Sequence, residues 1–153
     1  AFISPMRSKS MVWGFTLIEL IVVIAIVLVI VGAVVPVGVS FYRSEVVDET
    51  AHDVLATLRK AQMLATLQKN DSPFGVVVLA DRYVLFQGAS YASRVQSEDA
   101  ETFLSSIVTV GGVSEVVFSK MAGDTTTPGA VTVSSGNDTI ALYISSIGKI
   151  EIQ

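Results

Sequence analysis

Residues 15–35 read FTLIELIVVIAIVLVIVGAVV, an unbroken apolar run with a single charge, Glu19. A helix rises about 1.5 Å per residue, so the run matches the roughly 30 Å hydrocarbon core of a bilayer. Ile and Val dominate it; they are poor helix formers in water but well accepted in lipid. The chain has 153 residues and is 51% apolar, and the excess over an ordinary globular composition is concentrated here. Arg7 and Lys9 precede the run, and the next basic residue, Arg43, stands alone beyond it. The positive-inside rule puts the N-terminus in the cytoplasm and the remainder outside. The sequence opens on Ala1, with Met6 and Met11 as candidate initiators.

Two features separate this segment from an ordinary secretory signal. Such signals have an apolar core of about 7–15 residues followed by a small-x-small cleavage site. Here no Ala-x-Ala closes the run; instead Gly14 stands before it, directly after the polar leader. Cleavage at Gly14 would remove the leader and leave the apolar helix on the mature chain. Glu19 is the second feature. A carboxylate at mid-helix in a membrane costs roughly 2.5–3.5 kcal/mol on insertion scales, which marks it as a functional candidate. The bland alternative is a Glu that snorkels to the cytoplasmic interface. After a cut at Gly14 the new amine belongs to Phe15, one helical turn from Glu19. In a helical assembly the amine of one subunit would neutralise Glu19 of the next, and in low dielectric that pairing would select register.

The stretch Gly14-Phe15-Thr16-Leu17-Ile18-Glu19-Leu20-Ile21-Val22-Val23-Ile24-Ala25-Ile26 resembles the class III signal of type IV prepilins and type II secretion pseudopilins. The resemblance implies cleavage after Gly14 by a prepilin peptidase and N-methylation of Phe15. It also implies a register role for Glu19, which matches the family's charged residue. Pro36 falls where that family often bends its helix. Proline also removes an intrahelical hydrogen bond on its own account. With Gly32 and Gly38 nearby, two readings stand open: a flexible or melted stretch at 32–38 in a filament, or an ordinary proline at the membrane exit.

Residues 41–69 continue helically. Val47, Ala51, Val54, Leu58, Ala61 and Ala65 recur at spacings of four and three, flanked by Leu55 and Gln62, opposite a polar side carrying Glu45, Asp48, Glu49, Arg59 and Lys69. This amphipathic stripe predicts packing on a sheet. Lys69 falls in the last turn, and Asn70-Asp71-Ser72-Pro73 ends the helix. His52, the chain's single histidine, is expected to be exposed.

From Phe74 onward the pattern turns to strands. Residues 75–80 and 82–87 read as a hairpin about Asp81, and 88–102 as a polar loop. Strands are predicted at 103–110, 113–119, 130–134, 139–145 and 149–153, with turns at Gly111-Gly112, Gly136-Asn137-Asp138 and Ser146-Ile147-Gly148. The fold class is α+β: a long N-terminal helix packed on a small antiparallel β head, as two small sheets or one curled sheet. The chain divides into a leader at 1–14, a transmembrane and filament-core helix at 15–40, and an amphipathic helix with a β-rich head at 41–153. Phe118, Gly129, the alternating strand at 139–145 and the closing Gly148-Lys149-Ile150 resemble the head of FimT/GspH-type minor pilins. Some relatives take up DNA and carry a terminal Gly-Arg-x-Arg; here the stretch is Gly148-Lys149-Ile150-Glu151, with an acid at the second basic position.

The remaining chemistry is sparse. There is no cysteine, hence no disulfide, thiolate zinc site or thiol nucleophile. No P-loop, Gly-x-Ser-x-Gly or His-Glu-x-x-His is present, and neither enzymatic activity nor a metal or cofactor is expected. Glu98, Asp99 and Glu101 lack the ligand spacing of a calcium loop and read as solvated. Asn137-Asp138-Thr139 matches a glycosylation sequon but reads as a turn. After position 14, eight basic residues stand against 14 acidic ones, a balance that disfavours general nucleic-acid binding. The expected partners are other pilin or pseudopilin subunits, the prepilin peptidase, the inner-membrane assembly platform and membrane lipid. The alternatives are a DNA-binding tip subunit and a single-pass membrane protein that never polymerises.

Overall fold

The computed structural model describes residues 14–153, without the side chains of residues 34–37. The leader call therefore lies outside the described residues, apart from Gly14. The chain divides between Val39 and Ser40 into two units. A single helix, α1 (Leu17–Thr66), contributes to both.

In the first unit, Leu17, Ile18, Leu20 and every large apolar residue through Val31 are exposed. Near the N-terminus the chain thus has one helix long and apolar enough, by length and composition, to cross a membrane, and none of its most apolar stretch is buried. Helical backbone is assigned through Pro36, whose side chain lies outside the described residues.

The second unit is the β head wrapped on the rest of α1. All six stripe residues, Val47, Ala51, Val54, Leu58, Ala61 and Ala65, are at most 1% exposed. The α-helix stops at Thr66, earlier than Lys69, because Gln68 takes a left-handed conformation (φ 54°) and the chain continues through a 3-10 turn at Lys69–Asp71. Among the described residues, eight strands follow: β1 (Phe74–Val78), β2 (Arg82–Gln87), β3 (Ala100–Phe103), β4 (Thr109–Gly112), β5 (Glu115–Phe118), β6 (Gly129–Ser135), β7 (Asp138–Ile144) and β8 (Ile150–Ile152). They form two four-stranded antiparallel sheets, ordered β3-β2-β1-β5 and β4-β6-β7-β8. The chain crosses between sheets at Val113-Ser114: the Val113 N–H donates to Ala130 O at 2.9 Å in one, while Ser114 O accepts from Val78 N–H at 2.7 Å in the other.

One predicted strand is wrong, and Gly111-Gly112, expected as a turn, lies inside β4. Residues 103–110 are two strands, β3 and β4, in different sheets. Phe103 pairs with Arg82, the first residue of β2, and the Leu104 N–H makes the last bond, to Asp81 O at 2.8 Å. Beyond that point β2 offers no backbone to pair with, so 104–108 cross to the other sheet. β3 also begins at Ala100, inside the stretch read as a loop. The β6–β7 hairpin turns on Gly136-Asn137, with Gly136 at φ 64°, a Gly-first two-residue turn.

The main core joins Val54, Leu55, Leu58, Ala61 and Ala65 to Phe74, Val76, Tyr83, Leu85, Val116 and Phe118 of the first sheet. Val131, Leu142, Ile144 and Ile150 enter it from the second. On the other face of the first sheet, Val77, Val84 and Phe86 form a separate cluster with Leu79, Tyr91 and Val117. Tyr91 comes from the 88–99 segment, and burial on both faces explains why β1 reads as an apolar run rather than an alternation.

Leu58 (1% exposed) and its neighbour Arg59 make a matched test. Leu58→Ala should cost about 2–5 kcal/mol of head stability, and Arg59→Ala within about 0.5 kcal/mol, by denaturant unfolding.

Candidate functional site

The helix start is built by Thr16. Gly14, Phe15 and Thr16 lie outside the helix, and a methyl group added at Gly14 would meet nothing within 4 Å. Thr16 O accepts from the Leu20 N–H at 3.1 Å, and Thr16 Oγ1 accepts from the Glu19 N–H at 3.3 Å. Thr16 and Glu19 therefore occupy the N-cap and third positions of a Thr-x-x-Glu capping pattern. Helix termini leave N–H groups unpaired, and Thr16 satisfies one of them. The Glu19 carboxylate also sits in the first turn, where the helix dipole favours a negative charge by about 0.3–1 kcal/mol. It makes no ion pair among the described residues. Phe15 is 78% exposed and precedes the capped helix start at Leu17. The Thr-x-x-Glu signal is plain in the sequence, although Thr16 was not among the predicted site residues.

Beyond α1 the lysines and arginines of the head are paired among the described residues. Arg82 donates to Asp81 at 2.9 Å and to Glu101 at 2.8 Å. Lys69 lies 3.5 Å from Glu98, Lys120 2.8 Å from Asp71, and Lys149 2.5 Å from Glu151. Arg94 donates through Nε to Asp99 at 2.7 Å and through Nη1 to Tyr91 O at 2.8 Å, and its guanidinium stacks 3.8 Å from the Tyr91 ring centroid. These hydrogen bonds, first from the acids and then the Coulomb attraction behind them, raise the pKa of Arg82 and Arg94. The Arg82 hydrogen bond holds Asp81 below the usual carboxylate range.

The acids at 98–101 thus point to three different cations, with Glu101 in β3 rather than in a loop. Asp99 Oδ1 is buried without a hydrogen-bond partner among the described residues. Among those residues no three His, Asp or Glu side chains gather to hold a metal. His52 is exposed and faces Asp48 on its own helix. Asn137 lies exposed at the β6–β7 turn. Arg43, Arg59 and Lys60 are the cations of the head without an ion pair among the described residues, and all three lie on α1.

Gln62, read from sequence only as a flank of the stripe, ties the head together. Its amide nitrogen donates to Gly123 O at 2.9 Å and to Gly148 O at 2.8 Å, joining two loops to α1. Gly148 has φ 77°, and a Cβ there would lie 2.0 Å from Gly123 O. The closing Gly148-Lys149-Ile150 is therefore a packing device in this chain. Ile150 joins the core, while Lys149 is engaged by Glu151.

Thr16→Ala should remove about 1 kcal/mol of helix-start stability, seen as roughly fivefold faster amide exchange at Leu17–Leu20 in the full chain. Because Asp81 has a lowered folded pKa, its contribution is present above the unfolded value of 3.8 and is lost as pH falls through the folded value. Asp81→Asn should flatten the acid limb of the head's stability profile slightly, since the pair is exposed. Compared with known proteins, the chain matches no family model, no curated protein and no solved structure.

Proposed function

We propose that this chain is the precursor of a minor pilin or pseudopilin subunit. It inserts with its leader in the cytoplasm and its head outside, is cut between Gly14 and Phe15 by a prepilin peptidase, and is N-methylated on Phe15. The apolar helix then passes from the bilayer into a type IV pilus, a competence pilus or a type II secretion pseudopilus. There it packs against the helices of neighbouring subunits, guided by the inner-membrane assembly platform. Glu19 sets the register by pairing with the amine of an adjacent subunit, and Pro36 marks where the helix bends. The head occupies the filament surface or tip.

One observation carries this reading: an uncovered apolar helix holding one unpaired carboxylate starts immediately after an exposed Gly14-Phe15 peptide. A peptidase needs its scissile peptide free of helical hydrogen bonds, and Thr16 begins the helix just beyond it. A helix meant only to anchor gains from Glu19 no more than the small first-turn dipole effect, whereas in an assembly a cation can meet it. Five of the head's eight lysines and arginines are paired among the described residues, which favours a structural subunit over a DNA-binding tip, since phosphate binding needs free cations.

N-terminal sequencing of the mature protein should begin at methylated Phe15; any other start contradicts the processing step. Glu19→Ala should leave cleavage intact and lower incorporation into filaments severalfold. Normal incorporation would remove the register role.

A further inference from the structure

Phe41 and Tyr42 are 70% and 60% exposed at the start of the head unit. The head treats most of its other aromatics differently: Phe74, Tyr83, Phe86 and Phe118 are at most 3% exposed. Phe103 and Tyr143 are also exposed, at 68% and 47%; Arg82 lies over the Phe103 ring, 4.9 Å from the centroid, and Tyr143 stands alone on β7 rather than beside a second exposed ring. No ring or cation covers Phe41 or Tyr42 among the described residues.

Successive helical residues are turned by about 100°, so the two rings diverge along α1. The polarity changes just here as well, from exposed Val39, Phe41 and Tyr42 to exposed Arg43, Ser44 and Glu45. Within the first unit alone, Leu17 to Val39 rises about 33 Å, close to the hydrocarbon thickness of roughly 30 Å. Residues directly after such a span meet the headgroup region. A tyrosine, with an apolar ring and a polar hydroxyl, suits that boundary.

We propose that Phe41 and Tyr42 are an anchor for the outer membrane–water boundary, with both rings in the glycerol and upper acyl zone of a phospholipid leaflet. The anchor fixes how deep the precursor sits before it is drawn out. This inference rests on the membrane-inserted precursor proposed above, and its test separates the two.

Trp13 is the chain's single tryptophan, so a probe at position 42 needs only Trp13→Phe with Tyr42→Trp. The full chain is reconstituted in phosphatidylcholine vesicles whose acyl chains are brominated at graded depths. Vesicle flotation comes first: a chain that does not float with lipid contradicts the membrane reading itself and the anchor with it. For a chain that floats, emission should be blue-shifted. Quenching should be about twofold stronger from shallow than from deep bromines, as for a ring held at the headgroup level. A probe at 42 that is quenched by aqueous iodide and untouched by lipid bromine overturns the anchor alone. So does lipid quenching that falls as chain density rises, because a second copy then covers the ring. Phe41→Trp in the same Trp13→Phe background reads the other side of the helix and should report the same depth.

Discussion

Between Leu17 and Val31 the apolar surface of α1 has no protein to lie against. Isoleucine, valine and leucine point out on every side of the helix, so no single packing face could hide them. Apolar area in water costs about 25 cal/mol per Å², and this helix exposes it all round. The first unit is therefore complete only with a surrounding apolar phase. Lipid and a bundle of like helices both meet that condition. On the proposed function, a subunit that uses each in turn needs no change in the helix, only in its surroundings. Glu19 is the one charge in that stretch, and the proposed function gives it a partner in the bundle.

After Ser40 the same helix follows a different rule. Its apolar residues collapse to a single stripe, and the small side chains of Ala51, Ala61 and Ala65 let strands approach closely. Two sheets share that stripe, so neither has an independent core; the helix is the third layer for both. Gln62 works at the margin of this packing. It satisfies the carbonyls of Gly123 and Gly148, which belong to the loops after β5 and β7. The 88–99 segment closes the other face of the first sheet, held by the Arg94–Asp99 pair and by Tyr91 against Phe86.

Charge follows the same economy. Among the described residues, the cations outside α1 are each met by a carboxylate, and those left without one lie on the helix. Lys149 with Glu151 shows the point locally, since the acid that departs from the Gly-Arg-x-Arg pattern is the one that neutralises the remaining base.

The long helix, its change from all-round to one-sided apolarity, the antiparallel head and most strand positions could be read from residue order. Each depends on local periodicity, and the side chains at 47, 51, 54, 58, 61 and 65 carry that period by themselves. Thr16 and Glu19 were equally legible as a cap. What residue order left open were pairings between distant segments. Whether Phe103 and Thr109 belong to one strand depends on where β2 runs out of backbone, which 103–110 does not encode. The cover over Val77 and Phe86, the reach of Gln62 to two glycine carbonyls, and the cation chosen by each acid at 98–101 also depend on approach in space. Sequence by itself determined which surfaces must leave water, because apolarity and period are properties of neighbours along the chain. Only the tertiary structure decided what covers the head's surfaces, because hydrogen bonds and ion pairs are set by distances that loops alone control.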